Sequence, residues 1–155
     1  MSTSAISLSV VVPCYNEATT LQVCIEKVLE LRNHGIDLEI IIVDDDSSDG
    51  SPEIARKLAQ AAAEIKIVRH QSNQGKGAAL RTGFKEATKD FVVVQDADLE
   101  YDPRDILDLL VPLVDGRAEV VYGSRFLGVR PHRVLYFWHY LGNKFLTLLS
   151  NMFTD

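Results

Sequence analysis

Short apolar runs alternate along this chain with longer segments in which apolar residues recur every three or four positions. The runs are rich in β-branched residues, a pattern typical of strands buried on both faces of a sheet. Five runs are predicted as strands: 8–12, 38–43, 65–68, 91–94 and 120–122. Their alternation with helical segments predicts an α/β domain with a mostly parallel central sheet.

The predicted helices begin at residues that commonly cap helices. Asn16 is predicted to cap the first helix. The Ser-Pro pair at 51–52 predicts a second helix that runs to about residue 63, and the Asp-Pro pair at 102–103 repeats this device before the last helix.

Polar and acidic residues collect where the predicted strands end. In a parallel sheet, ligands bind in the crevice at the carboxyl ends of the strands. We therefore expect a single site built from four loops: 13–17, 44–49, 96–100 and 123–126.

Composition and charge narrow the classes of function. The chain has 155 residues and a net charge of −6, and 20 of its 22 acidic side chains lie in residues 1–116. Such an acidic body argues against nucleic-acid binding, but it is compatible with phosphorylated ligands held through a metal ion. Cys14 and Cys24 are predicted to be reduced apolar residues. We see neither a secretory signal nor an apolar run of about 18 residues, and we expect an intracellular protein.

The acidic residues after the fourth run are candidate metal ligands. Two carboxylates about 4 Å apart near a surface repel by roughly 4 kcal/mol, and a divalent cation relieves that repulsion. Side chains two positions apart face the same way in extended backbone, so Asp96, Asp98 and Glu100 can surround one Mg²⁺ or Mn²⁺. On spacing alone the alternative stays open that these acids merely solvate a loop. The acids at 44–46 are likewise either turn residues or acceptors for a base or ribose.

Several familiar sites do not fit the sequence. The segment 73–77 lacks the Walker pattern, and Leu80 stands where a dinucleotide-binding loop needs its third glycine. Its glycines serve either close packing or the approach of anionic ligand groups near Lys76. A dehalogenase-like phosphatase would need a threonine in place of Glu100, and a receiver domain would need acids at 14–16.

Five segments stand out in order along the chain: VVVPCYNE (10–17), IVDDDSSDG (42–50), NQGKGAALRTGF (73–84), QDADLE (95–100) and GSRF (123–126). Together they resemble the motifs of family 2 inverting glycosyltransferases, in particular the polyprenyl-phosphate branch that includes dolichyl-phosphate mannose synthases. The resemblance implies a Rossmann-like, three-layer GT-A domain over residues 1–126. It also implies transfer of a sugar from a nucleoside-diphosphate sugar to a dolichyl or undecaprenyl phosphate.

The resemblance also implies roles for individual residues. Donor binding falls to Pro13, Tyr15, Glu17, Val43, Asp44, Asp45, Asp96 and Ala97. Among the candidate ligands of Mg²⁺ or Mn²⁺, the resemblance supports Asp98 and Glu100, and the spacing of the acids adds Asp96. Catalytic roles are expected for Asp96, Asp98 and Arg125. The resemblance assigns the acceptor phosphate to Arg125, and we expect Arg133 or Arg130 to assist it.

Two departures from the family pattern matter. Asp46 replaces the usual glycine, so the turn must either accept an aspartate in a left-handed conformation or take another shape. The chain ends at Asp155, where similar enzymes continue, and we expect a donor-binding fragment of a longer protein. The alternative is a non-catalytic or truncated nucleotide-sugar-binding module that docks on a membrane partner.

Residues 127–155 are predicted to form an amphipathic acceptor-side helix. Apolar residues recur there at helical spacing, aromatic residues are concentrated, and Arg125, Arg130 and Arg133 precede them. The apolar face suits either a membrane surface or the remainder of the fold. The resemblance favours lipid, which places the protein peripherally on the cytoplasmic face of a membrane.

Overall fold

The computed structural model of the chain describes residues 5–123. Apart from Tyr122 and Gly123, these belong to one compact unit that ends at Val121. The strands are β1 (Ile6–Cys14), β2 (Ile36–Asp44), β3 (Ile65–Arg69) and β4 (Phe91–Val94). The helices are α1 (Leu21–Leu29), α2 (Ser51–Ala61), α3 (Lys76–Glu86) and α4 (Asp105–Val114), with a 3₁₀ turn at Glu30–His34 after α1.

Within residues 5–123 the sheet has four parallel strands in the order β3-β2-β1-β4. β1 lies at the centre, paired with β2 from Ile6↔Ile36 to Cys14↔Asp44. Parallel neighbours bring the strands' carboxyl ends to one edge of the sheet. The loops that follow β1, β2 and β4 therefore meet there.

Helices cover both faces of the sheet, because alternate residues of the central strands point to opposite sides. Val10 and Val12 of β1 pack in a core formed with α1, α2 and α4. Val11, on the other face, packs with Ile41, Val43 and Ala79 of α3. The predicted α/β architecture with helix, sheet and helix layers is confirmed.

The packing of α3 on β1 depends on Gly83. A Cβ atom at this position would lie 3.1 Å from Val11 Cγ2 and closer still to Cγ1. Only a residue without a side chain lets the helix backbone come this near the strand. The position of α3, whose first residue reaches the pocket described below, is thus set by one glycine.

Several local predictions were wrong. Ser51 and Asp102 are not N-caps, because α2 begins at Ser51 itself after Gly50, and α4 begins only at Asp105 after Arg104. Residues 120–122 do not form a strand, since no backbone ladder joins them to β4, and Val120 and Tyr122 are 65% and 88% exposed. Asn16 does not cap α1, which begins at Leu21. Finally, α2 ends at Ala61, two residues earlier than expected.

No helix described in residues 5–123 is long and apolar enough to cross a membrane.

Candidate active site

An open pocket of about 360 Å³ lies at the carboxyl edge of the sheet. Its wall is formed by residues from three strand ends and from the start of α3: Pro13, Cys14, Tyr15, Glu17, Asp45, Asn73, Gly75, Lys76, Ala79, Asp96, Ala97 and Asp98. Three of the four loops predicted to converge do so here. The fourth, 123–126, is described only at Gly123.

The loop after β1 is fastened to the loop after β2 through Asn16. This residue has a left-handed backbone with φ 57°. Its backbone N–H donates to Ser47 Oγ at 2.9 Å, and its side-chain oxygen accepts from the Ser48 N–H at 2.9 Å. Asn16 therefore joins two loops and shapes the turn that presents Tyr15 at the pocket.

Two further bonds join the same loops. Glu17 N–H donates to the buried Ser51 Oγ at 2.8 Å, and Ala18 N–H donates to Asp49 Oδ2 at 3.0 Å. Burial raises the pKa of Asp49, but the hydrogen bonds from Ser51 and Ala18 outweigh it and leave the pKa below its ordinary value. Ser51 is the first residue of α2 and not its predicted cap, and its hydroxyl accepts from the neighbouring loop.

Asp45 is a buried junction between β2 and the segment that leads into α3. Its carboxylate accepts from Gln74 N–H at 3.0 Å, Gly75 N–H at 2.7 Å and His70 Nδ1 at 2.6 Å. On the far side of the ring, His70 Nε2 lies 2.9 Å from Thr82 Oγ1. Burial raises the pKa of Asp45, yet the bonds from Gln74, His70 and Gly75 lower it overall, so the group is ionised.

The carboxylates on either side of Asp45 face Arg69. Asp44 is buried, accepts from Ser47 N–H at 3.0 Å and has its other oxygen 3.2 Å from Arg69 Nε. That second contact is an ion pair without hydrogen-bond alignment. Asp46 has φ 63°, so the turn accepts an aspartate in the left-handed conformation.

Lys76 and Asp96 form an ion pair across the pocket wall. Lys76 Nζ lies 2.7 Å from Asp96 Oδ1 and 2.8 Å from Oδ2. The lysine is the first residue of α3, and the aspartate follows β4. An exposed ammonium group and a less exposed carboxylate therefore lie together at the pocket wall.

The segment after β4 turns instead of running straight. Leu99 has φ 61°, and the Glu100 N–H donates to Asp98 Oδ1 at 3.0 Å. The expectation that an extended backbone aims Asp96, Asp98 and Glu100 the same way was wrong, because this turn breaks the alternation. Among residues 5–123, no group of three acidic, histidine or cysteine side chains is arranged to hold a metal ion.

The sequence model for the family described as "Glycosyl transferase family 2" matches residues 9–150. The chain belongs to glycosyl transferase family 2. This confirms the predicted family, and with it the assignment of the fold as a GT-A glycosyltransferase domain.

Curated relatives of this family 2 domain include two archaeal enzymes. The dolichol-phosphate mannosyltransferase of Pyrococcus furiosus is 33% identical over 120 residues, covering 77% of this chain and 33% of that protein. Glycosyltransferase AglD of Haloferax volcanii is 31% identical over 134 residues, covering 84% of this chain and 21% of that protein. The chain thus spans a third or less of the length of these relatives.

A solved structure supports the same fold. The mannosyltransferase PcManGT from Pyrobaculum calidifontis, in complex with GDP-Man and Mn²⁺, is 31% identical with a TM-score of 0.57. The match covers 66% of this family 2 domain and 30% of that chain.

The pocket gathers most of the residues that the motifs singled out. Six of the eight predicted donor-binding residues line it: Pro13, Tyr15, Glu17, Asp45, Asp96 and Ala97. The other two do not, since the Val43 side chain is fully buried between β2 and α3, and the Asp44 carboxylate pairs with Arg69. Arg125, Arg133 and the predicted helix in 127–155 lie outside the described residues.

Sequence reasoning missed His70 and Thr82. Thr82 lies within the 73–84 segment, but its residue type suggested no role there, and a single histidine after a strand has no special pattern. Asn16 was predicted only as a cap, because the same side-chain oxygen can either cap a helix or bind a neighbouring loop. Contacts over 25 and 31 positions in the chain, as in Asp45–His70 and Asn16–Ser47, require the strand order as well as the local sequence.

Proposed function

We propose that the chain is the donor-binding part of a glycosyltransferase that moves a sugar from a nucleoside-diphosphate sugar to a polyprenyl phosphate with inversion. The observation that carries this proposal is the pocket at the carboxyl ends of β1, β2 and β4, walled by Lys76, Asp96 and Asp98 in a family 2 domain. A relative named as a dolichol-phosphate mannosyltransferase supports the acceptor. A neighbour that holds GDP-Man and Mn²⁺ supports the donor.

The pocket offers complementary surfaces to the two halves of such a donor. Tyr15 is 50% exposed at its rim and can stack on a planar base. Lys76 carries the positive charge that a diphosphate needs, and it can exchange Asp96 for a phosphate oxygen. Glu17 is held by Thr20 Oγ1 at 2.8 Å, with its carboxylate available as a hydrogen-bond acceptor for hydroxyl groups.

Asp96 and Asp98 fit a divalent cation that arrives together with the donor. Both line the pocket and offer hard oxygen ligands, while Asp96 is already paired with Lys76. Mg²⁺ is commonly held by one or two carboxylates, with substrate phosphates and water completing its shell, so a cage of three carboxylates is not required. When bound, Mg²⁺ or Mn²⁺ supplies positive charge that stabilises the departing nucleoside diphosphate.

The acceptor needs little help from a general base. A phosphomonoester has a second pKa near about 6, so its oxygen is largely ionised at about pH 7. In our proposal this oxygen attacks the anomeric carbon in line with the departing diphosphate. Arg125 and Arg133 are proposed to hold the acceptor phosphate by bidentate contacts. With a lipid acceptor the reaction takes place at a membrane surface, and we propose that this is the cytoplasmic face.

The proposal is tested first by donor binding. Calorimetric titration of the chain with GDP and with UDP, each with and without Mn²⁺, should show tighter binding of at least one nucleotide when the metal is present. Asp98→Asn keeps the acceptor for the Glu100 N–H but removes the charge, and it should abolish the gain from Mn²⁺. Asp90→Asn, at an exposed position at the opposite edge of the sheet, is the matched control.

The outcome of titration decides between clear alternatives. If neither nucleotide binds, or if Asp98→Asn responds to Mn²⁺ as the wild type does, the proposal is wrong. If a nucleotide does bind, the chain is incubated with labelled sugar nucleotide, Mn²⁺ and polyprenyl phosphate in vesicles. Donor binding without lipid-linked product would favour the non-catalytic binding module.

A further inference from the structure

A line of three side chains starts at the pocket wall. Asp45 Oδ1 lies 2.6 Å from His70 Nδ1, and His70 Nε2 lies 2.9 Å from Thr82 Oγ1. The residues come from the end of β2, the position after β3 and the middle of α3. The line therefore joins the ends of β2 and β3 to α3.

Protonation along this line follows from the partners. An ionised carboxylate only accepts hydrogen bonds, so Nδ1 of His70 carries a proton. In the neutral ring Nε2 is then the acceptor, and the Thr82 hydroxyl donates to it. The side chains of Asp45 and His70 are 4% and 9% exposed, so water does not readily replace either partner.

The direction of the line indicates its role. Asp45 is one of the residues that line the pocket, whereas His70 and Thr82 are not. A nucleophilic arrangement of hydroxyl, imidazole and carboxylate would present the hydroxyl to the substrate. Here Asp45 lines the pocket and the Thr82 hydroxyl does not, so we infer that the hydroxyl and the ring support the carboxylate.

The support matters because Asp45 holds the segment that leads into α3. Its carboxylate accepts from Gln74 N–H and Gly75 N–H, and Gly75 adopts φ 85° immediately before Lys76. Rotation about the terminal carboxylate torsion is soft. A buried donor on Oδ1 fixes that rotation, as supporting hydrogen bonds orient groups at functional sites.

We propose that His70, held by Thr82, is a positioning residue for donor binding: it fixes the Asp45 carboxylate and, through it, the 73–76 segment that places Lys76 at the pocket. The inference rests on the proposed function for its link to the nucleotide. The claim that His70 fixes the 73–76 segment concerns the free protein and does not depend on nucleotide binding.

Variants at two positions separate positioning from simple damage. His70→Phe keeps a ring but removes both nitrogens, His70→Asn retains one N–H for Asp45, and Thr82→Val keeps the shape but removes the hydroxyl. His34→Phe makes the same chemical change at an exposed position and is the matched control. Amide hydrogen exchange of the free chain and titration with GDP and UDP plus Mn²⁺ are measured for each.

We expect exchange at Gln74 and Gly75 to accelerate by about tenfold or more in His70→Phe, the size expected when a hydrogen bond to a charged group is lost. The central amides of β1 should keep their protection. The nucleotide Kd should rise by about the same factor. His70→Asn should keep exchange rates and Kd close to the wild-type values. Thr82→Val should give values between those of the wild type and His70→Phe, and His34→Phe should match the wild type.

Unchanged exchange at Gln74 and Gly75 in both His70→Phe and Thr82→Val would overturn the inference. So would faster exchange throughout the sheet in both, or an unchanged Kd despite faster local exchange. If His70→Phe does not fold, Thr82→Val and His70→Asn decide by the same criteria. If the wild-type chain binds neither nucleotide, the proposed function fails, while exchange still decides whether His70 fixes the segment.

Discussion

At the scale of single residues, Asp45 shows how a motif aspartate gains its properties. The resemblance assigned it to the donor, and the structure adds three hydrogen-bond donors around a buried carboxylate. Its folded pKa is lowered relative to an ordinary aspartate, whose pKa is about 3.9. Stability from this group is therefore fully present above about pH 4, and it is lost as pH falls through the lower folded value.

Replacing Asp45 by Asn should therefore lower stability and flatten its pH dependence. At about pH 6 the loss should be about 1–3 kcal/mol, since an uncharged amide pairs poorly with the N–H groups of Gln74 and Gly75. Between about pH 6 and about pH 3 the variant should lose less stability than the wild type. Urea unfolding at both pH values measures this, with Asp90→Asn as control; parallel losses in the variant and the wild type would contradict it.

Residue types at the pocket could be predicted from the sequence, because acids and small residues after buried strands already mark a ligand edge. Their partners could not. The ion pair between Lys76 and Asp96 and the bond between Asp45 and His70 both join loops that meet only when the strands pair. The left-handed backbone of Leu99 could not be predicted either, since nothing in its residue type indicates it.

At the scale of elements, the contact between α3 and β1 gives a sharp test. Gly83→Ala puts a methyl group into the Val11 side chain, and we expect a loss of about 1–3 kcal/mol from overpacking. Gly77→Ala, on the same helix, meets nothing closer than Arg81 Nη1 at 3.8 Å and should be neutral or stabilising by up to about 1 kcal/mol.

Chemical unfolding of both glycine variants measures the difference. Adding Val11→Ala to Gly83→Ala should recover part of the lost stability if the two side chains collide, because residues in contact are not additive. Equal effects of the two glycine substitutions would contradict the packing of α3 described here.

Element boundaries divide into those set locally and those set by tertiary contacts. β1 and β2 could be predicted from their β-branched runs, because strands buried on both faces have continuous apolar sequences. The start of α1 could not be predicted locally, because the Asn16 side-chain oxygen accepts from the Ser48 N–H and does not cap the helix. Residues 120–122 have the composition of a strand, but a strand also needs a hydrogen-bonded partner.

At the scale of the whole molecule, the two cysteines report on opening of the core. Burial raises the pKa of Cys14 to about 11 and that of Cys24 to about 12. Only the thiolate reacts, so we expect each buried thiol to be labelled only when the protein unfolds. Labelling should be at least about a thousandfold slower than in the denatured chain. Absorbance during reaction with an aromatic disulfide measures this in rising urea.

Cys14 makes this labelling experiment specific, since it also lines the pocket. Rapid reaction of one thiol in the absence of urea would contradict the packing around β1. Two thiols that react together, with rates that rise in parallel with urea, would show that the pocket floor opens only with the core.

The central place of β1 bears on how the protein is made. On a ribosome, β1 emerges first and can pair at once with β2, but its other neighbour, β4, follows only after α2, β3 and α3. Asp96 and Asp98 come later still. A nascent chain halted before β4 would carry three of the four described strands and would lack both carboxylates, so we expect that a nucleotide with its metal does not stabilise it during synthesis.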